Sequence, residues 1–226
     1  MALDTQTFKT RTGTAVIFAA VMLTGLLWNK WSFLILFTII HFGCWYEFIK
    51  LLKKIDQRNY LLKALLGLLY ITLPIVLLMV MRLNNYTGLT DNYLKVLPCG
   101  IIFSIWINDT MAYLVGSFIG KNPLSKISPK KTWEGTIGGM ILCVLVITII
   151  GRATGFFNWQ DWFVISLVCA IAGTLGDLLE SKIKRIAQVK DSGSLMPGHG
   201  GFLDRFDSFL VATPFVFLYY FLFIVA

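Results

Sequence analysis

Seven apolar runs, at 13–28, 31–49, 64–81, 96–119, 133–151, 161–180 and 207–226, decide what this chain can fold into. A helix that crosses a bilayer needs about 20 mostly apolar residues, because no water reaches the hydrocarbon to satisfy free backbone groups. Most of the runs come close to that length, and the first is the shortest. Hydrophobic residues make up 57% of the chain and charged residues 14%, against about 45–50% and about 25% in soluble domains. The expected fold class is all-α: a polytopic membrane helix bundle of about seven transmembrane helices. It is read as a single integral membrane domain over 1–226. Residues 1–95 supply the N-terminal membrane spans, and 96–226 form the half that carries the chemistry. Pro74 falls inside the third run, where a membrane helix tolerates a kink. The first run lacks an A-x-A-like exit and leads almost directly into the second, so no cleavable signal peptide is expected.

The net charge is +8. In a soluble protein that would suggest nucleic acid; here the placement of the charges matters more than their sum. If odd-numbered spans run outward, all of the 20 lysines and arginines except Lys30, Arg82, Lys95 and Arg152 fall on the side of the N-terminus. The positive-inside rule then places the N-terminus in the cytoplasm and the C-terminus outside. Segments 120–135 and 181–206 share the cytoplasmic side, where nucleotides are found. Cys44, Cys99, Cys143 and Cys169 lie in or beside apolar runs with no C-x-x-C pair. They are expected to be reduced, buried thiols and not a zinc site.

One stretch is not oily. Residues 173–208 read GTLGDLLESKIKRIAQVKDSGSLMPGHGGFLDRFDS. On a single helix over 161–187, Gly173, Asp177, Ser181 and Lys184 share a face, with Glu180 and Arg185 beside it. An acid, a hydroxyl and a base on one stripe at a membrane surface suit a metal with bound phosphate. Asp177 follows apolar and small residues at the membrane edge, where a charge is expensive and usually functional. The remainder, 190–208, sets Gly198, Gly200 and Gly201 around His199, so backbone amides can approach an anion closely. Asp191, Asp204 and Asp207 offer hard oxygens of the kind magnesium takes. Lys190 and Arg205 can neutralise phosphate. The stretch is expected to form two halves of one metal–phosphate site.

Two earlier segments could contribute. Asn108 and Asp109 sit inside the fourth run with Tyr113 one turn on; they suggest a functional site, or an interhelical hydrogen bond that holds the bundle. The loop around Lys130, Lys131, Thr132 and Glu134 could contact phosphates, or could be basic only to set topology. Its glycines allow close helix packing. His41 has no evident partner and reads as structural. There is no P-loop, no dinucleotide fingerprint, no G-x-S-x-G and no H-E-x-x-H.

The order S-x-I-K-R, K-D-S-G, P-G-H-G-G-x-x-D-R-x-D, from Ser181 to Asp207, closely resembles the signature of the phosphatidate cytidylyltransferases, the CDP-diacylglycerol synthases. N-D-T-x-A-Y-x-x-G at 108–116, S-P-K-K-T-x-E-G at 128–135 and G-D-L-x-E-S at 176–181 agree with it in the same order. The resemblance implies that CTP and phosphatidic acid react to give CDP-diacylglycerol and pyrophosphate. It implies magnesium, with potassium as a second cation, and a homodimer in the membrane lipid of the bacterial inner (cell) membrane, with no nucleic acid partner. It assigns Asp177 and Asp204 to the metal. Ser181, Lys184, Arg185, Lys190, Asp191, His199 and Arg205 match motif positions of catalytic character. Asn108, Asp109, Lys130, Lys131, Thr132, Glu134, Gly200 and Gly201 would contact substrate. A CTP-using polyprenol kinase, a cytidylyltransferase for archaeal-type lipids and a secondary transporter are the competing readings.

Overall fold

A computed structural model gives the fold. It describes residues 5–83, 90–194 and 200–225, with side chains from residue 12 onward. Among these residues there is no β-strand, only an isolated antiparallel bridge between Pro123 and Thr132. The helices are α1 (Thr5–Leu27), α2 (Lys30–Ile55), the short α3 (Tyr60–Ala64), α4 (Leu73–Leu83), α5 (Asp91–Ile119), α6 (Trp133–Ala153), α7 (Trp159–Ile186) and α8 (Leu203–Tyr219). Wide π turns cover Leu68–Thr72 and Tyr220–Val225. Six stretches are long and apolar enough to cross a membrane: Lys30–Ile55, Tyr60–Leu83, Asp91–Ile119, Trp133–Ala153, Trp159–Ile186 and Leu203–Val225. The all-α membrane bundle expected from the apolar runs is therefore found. The first run is a shorter apolar helix, Thr12–Leu27.

Local chemistry explains the element ends. Asn29 and Lys30, which interrupt the apolar pattern, begin α2. The Ser32 amide donates to Asn29 Oδ1 at 2.8 Å and the Asn29 amide donates to Ser32 Oγ at 3.0 Å, a reciprocal cap that satisfies two orphan donors. Asp56 ends α2 by accepting from the Arg58 and Asn59 amides and from Lys63 Nζ at 2.8 Å. The Lys63 ammonium, first among these partners, holds its carboxyl down at about 2. Pro74 cannot donate to the turn before it, and that turn, Leu68–Thr72, is widened to π.

Two expected boundaries move. Helix α5 starts at Asp91, five residues before its apolar run, where Asp91 pairs with Lys95 one turn on at 3.0 Å and with buried Arg82 at 2.8 Å. Helix α8 starts at Leu203, four residues before its apolar run, so Asp204 and Arg205 belong to its first turn. An acid in a first turn is favoured by the unpaired amides there.

The chain divides into two compact units, Met1–Thr72 with Ile183–Phe206, and Leu73–Lys182 with Asp207–Ala226. The first unit is cored by α2 residues such as Phe33, Phe37, Ile40 and Phe48. His41, read without a partner, has one: its Nε2 lies 3.0 Å from Thr72 Oγ1, and Trp45 Nε1 donates to both atoms. The second unit is cored by Cys143, Ile147 and Trp162. The Trp162 ring lies against Gly100 of α5 and Gly151 of α6, where any side chain would collide with it. All four cysteines are buried free thiols.

Candidate active site

Helices α5 and α6 meet backbone to backbone. A Cβ at Gly135 would lie 2.7 Å from the Ala112 carbonyl oxygen, and one at Gly139 would lie 2.6 Å from the Ala112 amide nitrogen. This is the close approach that small residues permit between membrane helices. Beside it opens a cavity of about 440 Å³, lined by Asn108, Asp109 and Tyr113 of α5, by Lys130, Lys131 and Thr132 of the preceding loop, and by Thr174 and Asp177 of α7. The resemblance had drawn on 108–109, 130–132 and 177 from three separate motifs. The second unit brings them to one cavity.

Asp177 is the charged centre of this cavity. Lys131 forms an ion pair with Asp177 Oδ2, and Ser181 Oγ donates to Oδ1 at 3.2 Å from one turn further along α7. The two ionic side chains are each about a quarter exposed, 29% for Lys131 and 26% for Asp177, so the pair is open to a ligand. Asp207, buried at the start of the second unit's part of α8, feels the charges of Asp177, Asp109 and Lys131. Asn108 is buried, and its Oδ1 has no hydrogen-bond partner among the described residues. A buried acceptor left open is costly, and a ligand donor would satisfy it.

The loop is built to present its lysines. Thr132 caps α6 by accepting from the Gly135 amide at 3.1 Å. Leu124 N donates to Lys131 O at 2.7 Å and Trp133 N to Asn122 O at 2.9 Å, which close the loop on itself. Glu134 does not line the cavity. Its carboxylate accepts from the Lys121 and Asn122 amides and from Asn122 Nδ2 at 2.6 Å, and so it orders the loop.

In the first unit the other half of the charged stretch forms a polar cluster of its own residues. Helix α7 ends with Gln188 at φ 55, a left-handed conformation usually taken by glycine, and Val189 N donates back to Lys184 O at 3.0 Å. The chain then turns so that Ser192 faces Asp204. Lys184 Nζ donates to Asp204 Oδ1 at 2.6 Å. The amides of Ser192 and Gly201 donate to Oδ2 at 2.9 and 2.8 Å. Gly200 takes φ +81 directly over that carboxylate, which demands glycine. Arg185, Lys190, Asp191 and Arg205 are exposed. His199 lies outside the described residues, as does Gly198. Asp177 and Asp204 fall in different units, and each is characterised by its own surroundings.

The sequence reading missed Glu47, whose carboxylate is buried at the centre of the first unit's polar cluster. It gave no role to Thr174 or Ser128, which line the cavity. A lone glutamate inside an apolar run was the available signal.

The site tests the fit of magnesium. Among the described residues no three carboxylate, histidine or cysteine groups gather to hold a metal alone. Magnesium commonly uses one or two carboxylates and completes its shell with water and phosphate oxygens. Asp177, open on a lysine-lined cavity, fits that mode. Asp204 has both oxygens bonded and fits only if Lys184 releases Oδ1.

The structure thus defines an integral membrane protein with a cavity suited to phosphate groups beside a carboxylate. Residues 57–223 match the cytidylyltransferase family, and the chain belongs to that family. It is 33% identical over 213 residues to the phosphatidate cytidylyltransferase of Rickettsia bellii, covering 89% of this chain and 86% of that protein. It is 48% identical over 113 residues to the protein of that name from Staphylococcus haemolyticus, and 47% identical over 113 residues to that of Staphylococcus aureus strain COL. Those matches cover 49% of this chain and 43% of each staphylococcal protein.

Proposed function

We propose that this protein is a CTP:phosphatidate cytidylyltransferase, transferring CMP from CTP to phosphatidic acid to give CDP-diacylglycerol and pyrophosphate for phospholipid synthesis. The observation that carries this reading is the cavity in which Lys130 and Lys131 stand beside Asp177. Family membership supports the cytidylyl chemistry.

An oxygen of the lipid phosphate attacks the α-phosphorus of CTP. The bond from that phosphorus to the bridging oxygen breaks, and pyrophosphate leaves with the electron pair. The nucleophile is already anionic, so no residue has to remove a proton. The protein brings two anions together and stabilises the charge that builds on the leaving group. Lys130 and Lys131 neutralise phosphate oxygens. Asn108 Oδ1 accepts from a substrate donor, and Thr132 keeps the lysine loop closed. The carboxylates assigned to magnesium are Asp177 and, once Lys184 releases it, Asp204. Bound magnesium would offset phosphate charge and orient the leaving group. Potassium as a second cation rests on the family resemblance.

The working enzyme is a homodimer in the bacterial cell membrane with its site on the cytoplasmic face. The lysine and arginine bias supports the orientation, and the resemblance supports the dimer. The test is purified protein given CTP and phosphatidic acid, with products separated by thin-layer chromatography. Label from α-labelled CTP is expected in the lipid, and label from γ-labelled CTP in pyrophosphate. Transfer of γ-label to lipid would instead make the protein a kinase.

A further inference from the structure

Glu47 is 3% exposed, in the middle of a helix long and apolar enough to cross a membrane. A carboxylate there is costly unless its oxygens are bonded. They are. Phe202 N donates to Oε1 at 3.0 Å, and Leu203 N donates to Oε2 at 2.9 Å. Ser192 Oγ lies 2.7 Å from the same Oε2. The two amides open α8, where backbone N–H groups have no partner within the helix and a negative charge is favoured. Gly193 and Gly201 close around the carboxylate so tightly that a side chain on either would run into its oxygens. A separate helix therefore fastens both ends of the segment that carries the K-D-S-G and G-G-x-x-D-R motifs.

The fastening reaches Asp204. Ser192 Oγ is also 2.9 Å from Asp204 Oδ2, so its single proton is shared between two carboxylates. The Asp204 amide donates back to Ser192 Oγ at 3.3 Å. Within its own unit Glu47 is buried, and both of its carboxylate oxygens are bonded to protein groups. We infer that Glu47 is a positioning residue: through Ser192 and the first amides of α8 it sets the place of Asp204 for the transfer reaction. This inference rests on the function proposed above.

The test uses the full-length protein in detergent or nanodiscs, with turnover counted per folded molecule. Glu47→Gln keeps the shape but replaces one acceptor oxygen with a donor facing an amide. Its kcat is expected to fall about 100-fold, the size of effect that small misplacements produce. KM for CTP and for phosphatidic acid should each stay within about threefold, because the buried Glu47 carboxylate is taken up by Ser192 and two backbone amides. Hydrogen exchange should rise about tenfold or more at whichever of the Phe202 and Leu203 amides faces the new NH2 group, because that amide loses its acceptor while the other keeps the remaining oxygen. Ser192→Ala is expected to lower kcat about tenfold while those two amides stay protected. In the double variant the kcat losses should be less than multiplicative, as in a shared network. Unchanged exchange in Glu47→Gln, full turnover in Ser192→Ala, or independent effects in the double variant overturns the inference. If Glu47→Gln fails to insert, the Ser192→Ala result decides. If the wild type transfers no CMP, the proposed function falls, and the exchange measurement still tests the role of Glu47.

Discussion

Asp177 and Asp204 are the two carboxylates of this chain most readily assigned to a metal, and their surroundings differ. Asp177 looks onto a cavity, with one lysine and one hydroxyl as protein partners. Asp204 has a lysine on one oxygen and two amides and a hydroxyl on the other. The first has capacity left for a ligand. The second is occupied with holding a loop and a helix start. An identical residue type at a motif position can therefore stand open to a ligand or be held by protein bonds that a ligand would have to displace, and the hydrogen-bond account tells the two apart.

The sharpest break of this contrast is to delete each carboxylate. Asp177→Ala should lower CMP transfer by about a thousandfold, the scale of removing a preorganised electrostatic group. Its melting midpoint should stay within a few degrees of wild type, because only one partly exposed ion pair and one hydroxyl hydrogen bond are lost. Asp204→Ala should lose activity too, but also about 2–4 kcal/mol of stability, since Lys184 and two amides lose their acceptor. Thermal melts beside activity assays measure both, and equal melting losses would erase the distinction.

A smaller effect is expected at Lys131. Lys131→Gln leaves Asp177 without its ion partner and removes one phosphate contact, so KM for CTP should rise about 10- to 30-fold. Lys126→Gln in the same loop should stay within about twofold. Equal effects would mean that the loop acts only through its total charge. The smallest effect belongs to Asp56, which ends α2 and pairs with Lys63. Its acid is held down at about 2 from the ordinary 3.8 by Lys63. A lowered pKa stabilises the fold above pH about 4, and that contribution fades as pH falls toward 2. Asp56→Asn should therefore melt slightly below wild type at pH 6, and the two curves should converge near pH 2, with CMP transfer unchanged.

Much of this arrangement was legible in the sequence, for identifiable reasons. Hydrophobic run length located the helices, because backbone satisfaction in lipid leaves few alternatives. The start of α8 was misplaced because its first turn is polar, and polarity there reflects capping rather than a loop. The motif residues 108–109, 130–132 and 177 were found individually, but the cavity that joins them needs the glycine contacts of α5 and α6. Glu47 was invisible as a partner. Its bonds run to residues 145, 155 and 156 positions away, and nothing local announces them. His41 shows the same limit on a shorter scale, with Thr72 31 positions on.

The contact of Gly135 and Gly139 with Ala112 has a mechanical consequence. Where backbone meets backbone, no side chain is free to change rotamer and let the helices slide. Helices α5 and α6 therefore behave as one stiff wall of the cavity. The rest of the lining, Ser128 and Lys130 to Thr132 of the loop with Thr174 and Asp177 of α7, meets the cavity through side chains instead. The loop, held by Glu134 and backbone bonds, carries its lysines against a wall that keeps its shape.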